Sequence, residues 1–372
     1  MQSIYAYEQC KKSNYYLAID KVSLAFQPDL NSMEVQNKPL LKTQEKESTS
    51  LFKKYFNDEQ FPSEECSTEK IHEVVSQAIA QYHKEIKKDR EYLRKTMLRD
   101  AEKIIDRFAW LMFAPSALLE ASTREKHRKN LPKLDHFISN KILKSISSNK
   151  ILDGKLEKSK LQWVDHSEEV KIWVHEILNK DVAFLSYLEK DTTTLEDDRS
   201  IVLHMFKNII FKNELVSQFM EKVDLYWSEN EAILKSMITK TIKNIDSETG
   251  EFELAELSYN WEDDKVFFDT IYEKTLAHED EYEELIAQKA KNWDIERIAG
   301  TDKILLKMAI QEMINFPAIP VKVTINEYIE ISKRYSTPKS KQFVNGVLDV
   351  IALDLQESGV IKKSGRGLID NK

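Results

Sequence analysis

Glycine is scarce, with 7 in 372 residues. A chain this poor in the residue that serves turns and tight backbone approaches favours helix over sheet or loop, and its 32% of charged residues points the same way. There is no glycine-rich phosphate loop and no GxGxxG fingerprint. Cysteine is scarcer still. Cys10 and Cys66 stand in unrelated contexts, which leaves no metal-ligand spacing and suits a reducing compartment. HExxH, CxxC and GxSxG are missing, so the reading is a non-enzyme that calls for no cofactor and no metal. His72 and His83 lie on one long helical stretch without a partnering His at i+4, and His204 and His278 are isolated; all read as ordinary surface or core residues. No apolar run approaches the ~20 residues that span a bilayer, and the first residues lack a signal-peptide pattern. The expectation is a soluble cytoplasmic chain with no membrane partner. Net positive charge is also lacking, at -8, so any nucleic-acid site has to be a local patch.

What is present is helical patterning. Residues 1–27 read as one helix without a cap before it. Residues 28–69 are polar and read as a linker with a short aromatic segment, Phe52 to Phe56. A long helix is predicted from about Thr68 to Phe113, with Pro115 closing it. Residues 124–160 are locally basic. Arg124, Lys126, Arg128, Lys129, Lys133, Lys141, Lys144, Lys150, Lys155, Lys158 and Lys160 outnumber Glu125, Asp135, Asp153 and Glu157. That stretch is either a solvated face or an RNA-phosphate surface. Across 163–290 the pattern repeats. Asp197-Asp198 and Asp263-Asp264 sit 66 positions apart, and at that offset Phe206 meets Tyr272, Ile210 meets Leu276, Glu214 meets Asp280, Phe219 meets Leu285 and Trp227 meets Trp293. After a five-residue slip, Met237 meets Met308. Two similar helical hairpins are expected. The Asp pairs read as helix-start residues favoured by the dipole, not as catalytic acids.

The stretch from Trp293 to Gly359 has the sharpest punctuation. Ile304, Leu305, Met308, Ala309, Met313 and Ile314 recur at helical spacing and predict an amphipathic helix, ended by Pro317 and Pro320. Thr324 with Glu327 reads as a capping box, flanked at the staple positions by Val323 and Tyr328. Thr337-Pro338 is expected to start the last helix with Pro at its first position. Lys339 and Lys341 then fall in a first turn, where free N–H groups and two cations make a phosphate site. Phe343 follows within a turn. It is either core or a platform for a splayed RNA base, a stacking worth roughly 1–3 kcal/mol.

The pieces DKILLKMAIQEM, IPVKVTINEYIEISKRY and KSKQFVNGVLDVIA resemble, in order and spacing, the C-terminal half of the NusB family of bacterial transcription antitermination factors. Gln2, Ile4 and Tyr5 match the Gln, Leu and Tyr of that family's first helix. The resemblance implies an all-α fold, a NusB-like pair of three-helix bundles. Its core would be residues 1–27 and 262–360, with an inserted helical region over 28–261 and a tail over 361–372. The family's Arg-rich arm has no counterpart, so either the true start lies upstream of Met1 or this protein does without the arm. The implied function is RNA binding in antitermination of ribosomal RNA transcription: a complex with NusE, the small-subunit ribosomal protein, on boxA-like single-stranded RNA, delivered to the RNA polymerase elongation complex. The implied RNA contacts are Gln2, Tyr5, Lys339, Lys341, Gln342 and Phe343, with Tyr5 near the NusE junction. The implied NusE contacts are Asp302 and Lys307, which from the residues alone would pass as solvated charges. Asn345-Gly346 matches a family Asn-Gly, with Asn345 read as structural and Gly346 as permitting close helix packing. Two other classes stand beside this: a NusB-fold scaffold that binds protein but not RNA, and an RNA methyltransferase. The second would need a βαβ unit that the sequence does not contain.

Overall fold

The computed structural model describes residues 1–371 apart from positions 32, 34, 59–60, 126–130, 247 and 291–297. Trp293, and with it one pair of the internal repeat, lies outside the described residues, as do Lys126, Arg128 and Lys129. Among the described residues every regular element is helical and none is a strand. The protein is all-α.

The chain forms two compact units, Met1–Leu98 with Asp263–Lys372, and Arg99–Glu262. In chain order the helices are α1 (Gln2–Leu24), α2 (Lys38–Tyr55), α3 (Glu69–Met112), α4 (Ala114–Arg124), α5 (Asp135–Ser139), α6 (Lys141–Ser147), α7 (Lys150–Ser159), α8 (Ser167–Glu176) and α9 (Val182–Leu188). They continue as α10 (Leu195–His204), α11 (Glu214–Val223), α12 (Trp227–Lys243), α13 (Trp261–Ala277), α14 (Glu279–Lys289), α15 (Gly300–Asn315), α16 (Val321–Tyr335) and α17 (Ser340–Glu357).

Three boundaries differ from expectation. The polar stretch 28–69 is not all linker. Asn37 caps α2 by accepting the Leu40 N–H at 3.1 Å, and Ser48, Leu51 and Phe52 are buried beside Val22, Phe26 and Ile71. Residues 28–98 therefore belong to the compact unit of the first helix and the C-terminal helices, and only 99–262 forms a separate body. Pro115 falls at the start of α4, where its missing N–H costs nothing, so it opens one helix as well as ending another. Among the described residues, the two stretches aligned by the 66-residue offset are helical in both copies. α10 runs on into a π-helical stretch at Met205–Ile210 and is followed by α11 and α12, as α13 is followed by α14 and α15. The first Asp pair has divided roles. Thr194 and Asp197 form a capping box on α10. Asp198 is buried and accepts the Lys141 N–H at 2.8 Å and the Tyr187 hydroxyl at 2.7 Å, fixing the start of α6.

In the unit of residues 1–98 and 263–372, α15 is the central helix. Ile304 through Met313 are all buried, so the amphipathic expectation is corrected: a helix that packs on every side has no solvent face. α16 and α17 pack on it and on each other. The unit of residues 99–262 closes its own core around Trp110, Trp163, Trp173, Phe184, Phe206 and Phe219, with Trp110 and Trp163 stacked at 4.2 Å.

Candidate nucleic-acid interface

The polar residues of α15 decide how its neighbours are held. Asp302 is 4% exposed and its Oδ2 accepts the Ser340 hydroxyl at 2.6 Å. Ser340 also accepts the Thr337 N–H at 3.2 Å and contacts Ser336 at 2.9 Å. Asp302 thus anchors the start of α17 from inside. Lys307 is 2% exposed and meets Glu283 at 2.8 Å, Glu279 at 3.1 Å and Glu8 at 3.5 Å. Lys11 completes the cluster at 2.9 Å from Glu279. Burial works against the Lys307 charge, but the bond to Glu283 and the fields of Glu279 and Glu8 outweigh it and raise its pKa. Glu8 is pushed up by burial, partly offset by Lys307. For Glu279 burial pushes up as well, yet Lys11 and Lys307 together bring it below its ordinary value. Gln311 accepts the Tyr282 hydroxyl at 2.6 Å, and Glu312 accepts the Thr324 hydroxyl at 2.8 Å.

These contacts correct several expectations. Asp302 and Lys307 are not solvated charges: both are buried, with Asp302 Oδ2 accepting the Ser340 hydroxyl and the Lys307 ammonium held among carboxylates, while Asp302 Oδ1 has no partner among the described residues. Thr324 is not an N-cap: α16 starts at Val321, and the Thr324 side chain points at Glu312. The last helix starts at Ser340, two residues beyond Pro338. Phe343 is 5% exposed and sits in the core with Val344, Val347 and Leu348, so its ring face is not open to a base. A Cβ on Gly346 would meet nothing within 4 Å, so close helix packing does not explain that glycine. Asn345 reaches Asp349 one turn on, at 3.0 Å.

What remains at the start of α17 is a cationic edge. Lys339, Lys341 and Gln342 are exposed, and the first turn holds no acidic residue. Among the described residues neither lysine is ion-paired. The turn is tight, because the Ser340 and Gln342 amides already donate to the Thr337 and Lys339 carbonyls at 2.9 and 3.1 Å. The capacity to hold an anion therefore rests on the lysine charges and the dipole more than on free N–H groups. On α1, Tyr5 is 42% exposed and Gln2 is exposed. Gln2 lines an apolar cavity of about 730 Å³ with Ile4, Phe267, Val323 and Tyr328, a cavity that none of the α17 candidates lines. Glu8 lies far in the chain from Glu279 and Glu283, so the residues alone do not bring the three together. One signal was available: Glu279 and Glu283 are like charges at i,i+4, an unfavourable pair unless a cation sits between them.

The NusB family model matches residues 212–353. The chain is 50% identical over 103 residues to a protein named transcription antitermination protein NusB from Salinibacter ruber, covering 28% of this chain and 64% of the relative. It is 45% identical over 106 residues to one of the same name from Chloroherpeton thalassium, covering 28% of this chain and 50% of that protein. A third, from Dictyoglomus turgidum, is 39% identical over 106 residues, 28% of this chain and 72% of the relative. The chain thus spans 64% and 50% of the length of the first two. No solved structure matches.

Proposed function

The chain belongs to the NusB family, and from that membership we propose that it binds single-stranded RNA of the boxA type as a transcription antitermination factor, by assembly and without making or breaking a bond. The observation that carries the reading is the unpaired pair Lys339 and Lys341, exposed beside Gln342 on a helix start with no acid in its first turn. In a chain of net charge -8, such a patch concentrates the electrostatics that RNA needs. Tyr5, exposed on α1, is the proposed contact at the junction with NusE, and the RNA polymerase elongation complex is the proposed destination, in the cytoplasm.

The test is fluorescence anisotropy of a labelled boxA RNA, with and without NusE, across a salt series. The full chain is expected to bind, more tightly with NusE, and Lys339→Ala/Lys341→Ala to weaken binding. Losing two phosphate contacts should also flatten the log–log salt slope by about 1.4. The buried Phe343 ring favours a second reading, a protein scaffold that has lost RNA affinity. Salt-independent or absent RNA binding with intact NusE binding would establish that one instead.

A further inference from the structure

The unit of residues 99–262 holds a cavity of about 230 Å³ whose wall includes Asp106, Arg107, Trp110, His166, Asp224 and Trp227. It is below the roughly 300–1,000 Å³ of drug-sized sites and suits a single ring. Trp110 and Trp227 are 4% and 3% exposed, yet neither indole N–H has a hydrogen-bond partner among the described residues. The same holds for Nη1 of Arg107, whose Nε is ion-paired with Asp224. With Asp224 Oδ2, the oxygen already ion-paired to Arg107 Nε, these make four of the ten buried side-chain polar atoms without a hydrogen-bond partner among the described residues, gathered around one cavity. Apart from that ion-paired oxygen, the other three are donors. Buried donors are nearly always satisfied, so a concentration of this kind asks for a molecule that presents acceptors.

The donors are held in place. Trp110 stacks on Trp163 at 4.2 Å, Trp227 stacks on Phe211 at 5.7 Å, and the Asp224 ion pair holds the Arg107 guanidinium. The wall also reaches the basic stretch. Ser159 and Leu161 line the cavity, their neighbours Lys158 and Lys160 are exposed, and Lys155 acts electrostatically on Asp106. Flat aromatic walls, fixed N–H donors, a carboxylate and adjoining lysines together describe one chemistry. We propose that this cavity receives an oxo-bearing nucleobase ring such as uracil, with its carbonyl oxygens accepting from the Trp110, Trp227 and Arg107 N–H groups and its phosphate held by the Lys155–Lys160 segment. Asp106 then takes the ring N–H. The ring is that of a free nucleotide or of one base in a single strand. The site stands independently of the reading of α17.

The experiment uses the full chain carrying Lys339→Ala/Lys341→Ala, so that the α17 patch contributes nothing. Isothermal titration is run with uridine 5′-monophosphate, with ribose 5-phosphate as a ring-free control, and with an octamer of uridylate. Uridine monophosphate is expected to bind and ribose 5-phosphate not to. Trp110→Phe and Trp227→Phe keep an aromatic wall and delete one donor each, and each should weaken binding roughly tenfold. Near-ultraviolet circular dichroism establishes that both variants keep the native packing. Lys155→Ala/Lys158→Ala should weaken the nucleotide and leave uridine unchanged. Tighter binding of the octamer than of the monophosphate identifies a strand as the source, and equal or weaker binding identifies the free nucleotide. No heat with any probe, or Phe variants that bind as well as the parent, would overturn the proposal and leave the donors to solvent.

Discussion

Lys307 is a charge inside a core, and its surroundings explain why that is tolerated. Removing an ammonium from water is costly unless good geometry and opposite charge compensate, and three carboxylates on α1 and α14 supply both. Lys307→Met leaves those carboxylates facing one another. It is expected to destabilise the protein by about 3 kcal/mol, the lower end for a broken buried pair, because Glu283 keeps half its surface in water. Urea unfolding would measure it. Glu312 is the opposite case. Burial holds its carboxyl above its ordinary value of 4.5, against the pull of the Thr324 and Tyr328 hydrogen bonds. The folded state therefore binds this proton more tightly than the unfolded one, and this group's contribution to stability falls as pH rises from the ordinary value through the raised one. Unfolding free energies of the parent minus those of Glu312→Gln, taken from pH 4 to 8, should decline over that window and then level off. A flat difference would mean that Glu312 titrates as a solvated acid.

At the scale of elements, α15 organises its unit through four polar residues aimed in different directions. Asp302 holds α17, Lys307 holds α1 and α14, Gln311 holds α14 again, and Glu312 holds α16. Apolar packing alone is non-directional, and these bonds fix which helix lies where. The bond from Asp302 to Ser340 bears most directly on the RNA reading, since it holds the turn that displays Lys339 and Lys341. Ser340→Ala leaves a buried carboxylate without its donor and should cost about 1–3 kcal/mol. Amide hydrogen exchange over 339–345 should speed up while the end of α17 stays protected. Uniform exchange along the helix in the variant would count against a local anchor.

For the molecule as a whole, the excess of acidic residues sets the background against which any nucleic-acid patch works. A net charge of -8 repels polyanions at long range, and only local cations reverse that. Double-stranded DNA of the same length as the boxA RNA is therefore expected to show no anisotropy change at about 150 mM salt, where the Debye length is ≈ 8 Å. Binding of both alike would place the affinity in nonspecific charge.

The amino-acid order by itself determined the helical class, the family, and the helices of the C-terminal third to within a few residues. Scarce glycine, apolar periodicity and proline punctuation are local signals, written where they act. The exposed lysines of α17 were legible for the same reason, since a helix start is a local feature. Burial was not legible, because it depends on what packs from elsewhere in the chain. Lys307 reads as a surface charge until α1 and α14 close over it, Thr324 reads as a cap until Glu312 takes its hydroxyl, and Phe343 could be platform or core until α17 docks. The same limit hid the cavity between Arg107, Trp110 and Trp227. These residues lie up to 120 positions apart in the chain, and only the fold brings three unpartnered donors to one space.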